Sequence, residues 1–98
     1  MTITTERNDA ELKVVVEGAI DTSTAPDFEK VLRENLPGVE SLILDFEKVG
    51  YVSSAGLRVL LYAIRTMNVQ GSLVVRNVGD VVLETLEITG ILDDLNVE

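Results

Sequence analysis

Two neighbouring segments restrict the fold more than anything else in the chain. Ser41-Leu42-Ile43-Leu44-Asp45-Phe46 is almost continuously apolar, and shortly after it Leu57, Leu60, Leu61, Ile64 and Met67 recur at three- and four-residue intervals. The first pattern marks a strand that is covered on both sides or central in a sheet. The second marks an amphipathic helix that starts at Ser54 and ends before Gly71. A buried strand feeding directly into a long helix is the first half of a crossover, which commits the fold to the α/β class.

The flanking segments extend this pattern. Ile3 to Arg7 and Leu12 to Glu17 are short β-prone runs on either side of Asn8-Asp9-Ala10, and a hairpin accounts for them. Thr24-Ala25-Pro26-Asp27 reads as a helix start, with Thr24 the candidate cap and Pro26 in the first turn, where its missing N–H costs nothing. Phe28, Val31, Leu32 and Leu36 mark its apolar face, and Pro37-Gly38 ends it. Ser72 to Asn77 is another strand. Asp80 is the candidate cap of a third helix bearing Val82, Leu83 and Leu86, with Gly90 near its end and a final turn from Ile91 to Leu95. The order β-β-α-β-α-β-α predicts a mixed sheet of four to five strands, antiparallel at the hairpin and parallel at the crossovers. No linker, repeat or low-complexity stretch interrupts it, so one domain is expected over residues 1–98.

Composition narrows the chemistry. The chain has 98 residues, 46% of them hydrophobic, which is enough for one core without metals or disulfides. It has no Cys and no His, so thiolate metal sites, thiol nucleophiles and a self-contained Ser-His-Asp arrangement are excluded. Asp93-Asp94 and the Glu84/Glu87 pair lack calcium-loop spacing and read as solvated acids, so neither a metal nor any other cofactor is implied. The net charge of −9, with no cluster of Lys and Arg, disfavours nucleic acid and anionic membranes. It suits a protein partner that offers basic groups, and equally serves solubility. The N-terminus lacks the basic start and apolar stretch of a signal peptide, and no apolar run reaches membrane-spanning length. A soluble cytoplasmic protein is expected.

The stretch with most functional content is Tyr51-Val52-Ser53-Ser54-Ala55-Gly56-Leu57-Arg58, which joins the buried strand to its helix. By local physics the two serines read as helix caps. Gly56 is a poor residue for a first helical turn, so something must approach closely there. A helix N-terminus offers unpaired N–H groups and the positive end of the macrodipole, so a phosphate on a serine at this point would be stabilised by its surroundings. Such a modification leaves the fold intact and changes the surface instead, adding about −1.5 to −2 of charge.

Asp45 together with Tyr51-Val52-Ser53-Ser54-Ala55-Gly56-Leu57 resembles the signature of the STAS domain of bacterial anti-sigma factor antagonists. Upstream, Gly18-Ala19-Ile20-Asp21-Thr22-Ser23-Thr24-Ala25-Pro26 resembles the family's other landmark, a Gly-x-hydrophobic-Asp turn followed by Thr-Ala-Pro and a helix. The resemblance implies that Ser54 is phosphorylated, by an anti-sigma factor serine kinase of the histidine-kinase-like ATPase type that is itself the partner. It implies that a metal-dependent phosphatase restores the binding form, and that unphosphorylated antagonist holds the anti-sigma factor and frees sigma. It also implies that Asp21 lies beside the phosphorylation loop. The partner-binding surface is then expected to comprise Asp21, Thr22, Ser23, Ser53, Ala55, Gly56 and Arg58. Asp21 has a second reading as a plain turn residue.

Two departures from the common Asp-Ser-Ser-Gly form stand out: Ser53 replaces the Asp and Ala55 replaces the second Ser. Arg58 stands where a small residue is common, one turn beyond Ser54. There it can pair with a phosphate or a partner carboxylate, or simply be solvated. An esterase with Ser54 as nucleophile is disfavoured, because the nucleophile-elbow pattern and any His base are missing. The competing reading is a STAS-type binding module of another assembly, such as a lipid-transport complex subunit or a regulator of a non-sigma signalling enzyme.

Overall fold

The structure is a computed structural model that describes residues 1–98. Its elements are β1 (Thr2–Asn8), β2 (Glu11–Glu17), α1 (Ala25–Asn35), β3 (Ser41–Lys48), α2 (Ser54–Gln70), β4 (Ser72–Arg76), α3 (Asp80–Ile88), a 3-10 turn (Ile91–Asp94) and β5 (Asn96–Val97). The strands form one five-stranded sheet in the order β1-β2-β3-β4-β5. β1 and β2 are antiparallel, and every later neighbour is parallel. Asp9-Ala10 closes the hairpin with Asp9 at φ 56°, the left-handed geometry that so short a connection demands.

The expected α/β architecture is present, with three local differences. β5 is a two-residue strand after the last turn, too short to leave a propensity signal. Thr24 flanks α1, but its hydroxyl caps none of that helix's N–H groups. Asp80 is the first residue of α3 rather than its cap, a position held by Gly79, and its carboxylate sits at the positive end of the dipole instead.

All three crossovers step the same way across the sheet, and right-handed connections then place every helix on one face. The register agrees. Leu12, Leu42 and Leu73 align across β2, β3 and β4, as do Val14, Leu44 and Val75, and these six belong to the one core cluster together with Phe28, Leu32, Leu60, Ile64, Met67, Val82 and Leu86 of the helices. Phe28 meets Phe46 edge-on at 6.4 Å between ring centroids, fixing the start of α1 over β3. At the far end the Gln70 amide donates to the carbonyls of Leu36 and Val39 at 2.9 and 2.8 Å, tying α2 to the chain leaving α1. The Arg7 guanidinium donates to Asn35 O and Pro37 O at 3.2 Å and so satisfies carbonyls at the C-terminus of α1.

The opposite face of the sheet carries no helix. There Lys13, Ile43 and Val74 align in one row, and Val15, Asp45 and Arg76 in the next. Ile43 is nonetheless only 8% exposed and stands outside the core cluster. It sits mid-sheet between half-buried Lys13 and Val74, in a row where a long lysine stem can cover apolar surface while its charged end stays wet. The apolar run of β3 therefore reflects a central strand, not one packed on both sides.

Candidate functional site

The two sequence landmarks meet at the C-terminal edge of the parallel strands. Beyond β2 and β3 the chains remain zipped together. Gly18 N donates to Lys48 O at 2.9 Å, Ile20 N to Tyr51 O at 2.9 Å, and Ser53 N to Ile20 O at 2.8 Å, making an isolated parallel bridge between Ile20 and Val52. This short pairing carries the Asp21 turn alongside the start of α2, although more than thirty residues separate them in sequence.

Gly56 is the consequence of that pairing. A Cβ at this position would lie 2.8 Å from Ile20 Cγ2 and from Val52 Cγ1, and 2.9 Å from Ile20 O. The close approach anticipated at this glycine is thus made by the chain's own bridge. Gly56 is buried and belongs to the support of the site rather than to its exposed surface.

The two serines have different jobs. Ser53 occupies the cap position in extended conformation, and its hydroxyl accepts from Gly56 N at 3.3 Å. Its backbone carbonyl accepts from Leu57 N at 2.9 Å. Ser54 is the first residue of the helix, exposed, and its hydroxyl has no hydrogen-bond partner within the chain. One serine closes the helix while the next is left facing solvent at the positive end of the dipole.

Asp21 builds the opposing wall. Its Oδ1 accepts from Ser23 N at 2.9 Å, Ser23 Oγ at 2.7 Å and Thr24 N at 3.0 Å, and lies 3.2 Å from Thr24 Oγ1. Thr24 Oγ1 in return accepts from Asp21 N at 2.8 Å and donates to Ala19 O at 2.8 Å. This reciprocal pair has the hydrogen-bond pattern of a capping box, but it closes the turn before α1 rather than the helix itself. The hydrogen bond from the Ser23 hydroxyl, followed by those from the backbone, outweighs partial desolvation and holds the Asp21 carboxyl below its ordinary range. Asp21 therefore shapes the turn, while Thr22, exposed and free of side-chain hydrogen bonds, faces outward.

Between the two helix starts lies a groove of about 250 Å³. Thr22, Ala25 and Pro26 line one side, Ala55 and Arg58 the other, with Glu29 and Val59 farther along. Of the expected surface residues, Thr22, Ala55 and Arg58 line this groove, Ser54 stands exposed at its rim helix, and Asp21, Ser23 and Ser53 hold its walls in shape. Glu29 escaped the sequence reading because nothing in its spacing distinguishes it from any other helical acid. Asp45, the remaining signature residue, lies on the open face of the sheet. Partial burial pushes its carboxyl up, but hydrogen bonds from Glu47 N and the Asn77 side chain, with the charges of Lys13 and Arg76, hold it lower. It secures the end of β3 to the turn after β4.

With every helix on one face the strand order never reverses, so the sheet has no crevice of the kind in which doubly wound folds bind nucleotides. No helix is long and apolar enough to cross a membrane. A shallow groove flanked by an unpartnered hydroxyl suits a protein surface better than a small molecule.

Comparison with known proteins places this geometry. BtrV of Bordetella bronchiseptica, which bears the name of an anti-sigma factor antagonist, is 35% identical over 94 residues, spanning 94% of this chain and 81% of BtrV. The anti-sigma-B factor antagonist of Staphylococcus aureus is 29% identical over 99 aligned residues, covering 99% of this chain and 92% of that protein. The crystal structure of an anti-sigma factor antagonist from Mycobacterium paratuberculosis superposes with a TM-score of 0.88 at 24% identity, over 98% of this chain and 83% of that one. The STAS domain model matches residues 2–98. With the family model matching nearly the whole chain, the protein belongs to the STAS domain family.

Proposed function

We propose that this chain, acting as one unit over residues 1–98, is a cytoplasmic anti-sigma factor antagonist, a binding switch and not an enzyme. Its relatives in Bordetella and Staphylococcus carry that name. The single observation that most supports the switch is the division of labour between the serines: Ser53 caps α2, which leaves the exposed Ser54 hydroxyl free to be modified at no cost to the fold.

In the unmodified state the groove between α1 and α2 docks the partner, an anti-sigma factor serine kinase, through Thr22, Ala55 and Arg58. That kinase transfers the γ-phosphoryl group of ATP to Ser54 Oγ; the new O–P bond forms as the bond to ADP breaks and the hydroxyl proton departs. The docking surface gains about −1.5 to −2 of charge, enough to turn complementary electrostatics against the complex. Hydrolysis of the ester by a metal-dependent phosphatase restores the binding form.

The test is intact-mass spectrometry after incubation with a cognate anti-sigma factor ATPase and Mg-ATP. The parent chain and Ser53→Ala gain one phosphate, and Ser54→Ala gains none while still binding the ATPase. A phosphate on the Ser54→Ala chain would refute the assignment. Ser54→Asp is expected to weaken the complex about tenfold or more with little change in melting temperature, the Asp carrying part of the charge of a phosphate.

A further inference from the structure

Arg58 is a charge that the fold leaves unused. It is exposed on α2, lines the groove, and takes part in none of the chain's ion pairs or side-chain hydrogen bonds. The acid that shares the groove with it is engaged. Glu29, on the α1 side of the groove, is held by Arg33 at 3.0 Å, and Arg33 is itself stacked 4.3 Å over the Tyr62 ring. Ser54, four residues before Arg58, is on the same side of the helix, and its hydroxyl is equally unengaged.

We propose that Arg58 is the internal counter-ion of phosphorylated Ser54, closing onto the phosphate one helical turn away and thereby reversing the charge that this pair presents to the groove. This rests on the reading of Ser54 as the acceptor. An anion placed four residues before a cation is the favourable order for a helical pair, because it agrees with the helix dipole. The guanidinium fork also matches phosphate oxygens bidentately, which a lysine cannot do. The phosphate's second ionisation, ordinarily near pH 6, moves down, so the group is fully dianionic at neutral pH. Arg58 and Ser54 together then change from about +1 to about −1. A partner carboxylate seated on Arg58 loses its counter-ion in the same step that brings in the phosphate.

Phosphoserine installed at position 54 through an expanded genetic code tests this on the full chain without any kinase. Titration of the phosphorus-31 resonance is expected to give a second pKa lower by about half a unit or more in the parent than in Arg58→Gln, with Arg58→Lys between them. The gap should shrink at about 1 M NaCl. Identical midpoints in the parent and Arg58→Gln, with circular dichroism showing both folded, would overturn the proposal. Failure of the Ser54 reading shows itself elsewhere, as a chain that never acquires phosphate from an ATPase partner.

Discussion

At the scale of single residues, the first turn of α2 is governed by two atoms, the Ser53 hydroxyl oxygen and the missing Cβ of Gly56. Ser53 accepts from Gly56 N, and Gly56 allows the helix to sit directly on the bridge between Ile20 and Val52. Neither can be replaced freely. Ser53→Ala should cost about 1 kcal/mol through the lost cap, which for a domain of this size lowers the melting temperature by about 4–8 °C. Ser54→Ala, which removes no hydrogen bond, should stay within about 0.5 kcal/mol of the parent. Gly56→Ala raises helix propensity by about 1 kcal/mol, yet the new methyl meets the Ile20 carbonyl and two buried side chains, so a net loss of about 1–3 kcal/mol is expected. Thermal melts of the three variants decide the matter, and a Gly56→Ala chain more stable than the parent would mean that the bridge yields easily.

At the scale of elements, the site is held by connections that lie beyond the ends of the regular strands. The reciprocal Asp21–Thr24 pair sets the direction in which α1 leaves β2, and the carboxylate at its centre is stabilised in its charged form. The sign of the pH effect follows. A folded-state pKa below the ordinary value of 3.8 favours folding above that value, and the contribution is lost as pH falls through the lower, folded-state pKa. Asp21→Asn keeps an oxygen acceptor and removes the titration. Its melting temperature should therefore fall less steeply than the parent's below about pH 4. Parallel slopes for the two proteins would show that other carboxylates carry the acid sensitivity.

At the scale of the whole molecule, a one-sided sheet is stable in water because its open face is laced with charge. Lys48 pairs with Glu17 at 3.3 Å and Arg76 with Glu98 at 2.8 Å, while Lys13 and Arg76 flank Asp45. Such exposed pairs add little stability, but they keep Ile43 and its valine neighbours from forming a bare patch. The total charge is less balanced. At −9 the folded chain repels itself, and screening relieves the compact state more than the expanded one. The melting temperature should rise between about 0.02 and about 0.3 M NaCl at neutral pH. A fall over that range would show that the attractive pairs outweigh the net repulsion.

Much of this was written in local sequence. The hairpin, the helix faces of α1, α2 and α3, and the end of α2 at Gly71 follow from side-chain period and backbone chemistry, which act over a few residues and survive in any context. The oddity of Gly56 was legible too, as a residue that its own helix would not choose. Its cause was not, because the obstructing atoms belong to Ile20 and Val52, and only the pairing of two loops brings Ile20 there. The same holds for Thr24, whose oxygen bonds Asp21 rather than its own helix, for the two-residue β5, and for the bare face beside Ile43. Sequence by itself determined the hairpin, the three helices, the strands between them and which serine pair begins α2, since those depend on neighbours along the chain. Tertiary structure alone decided what packs against Gly56 and what faces the free hydroxyl across the groove, since those depend on contacts between segments far apart in sequence.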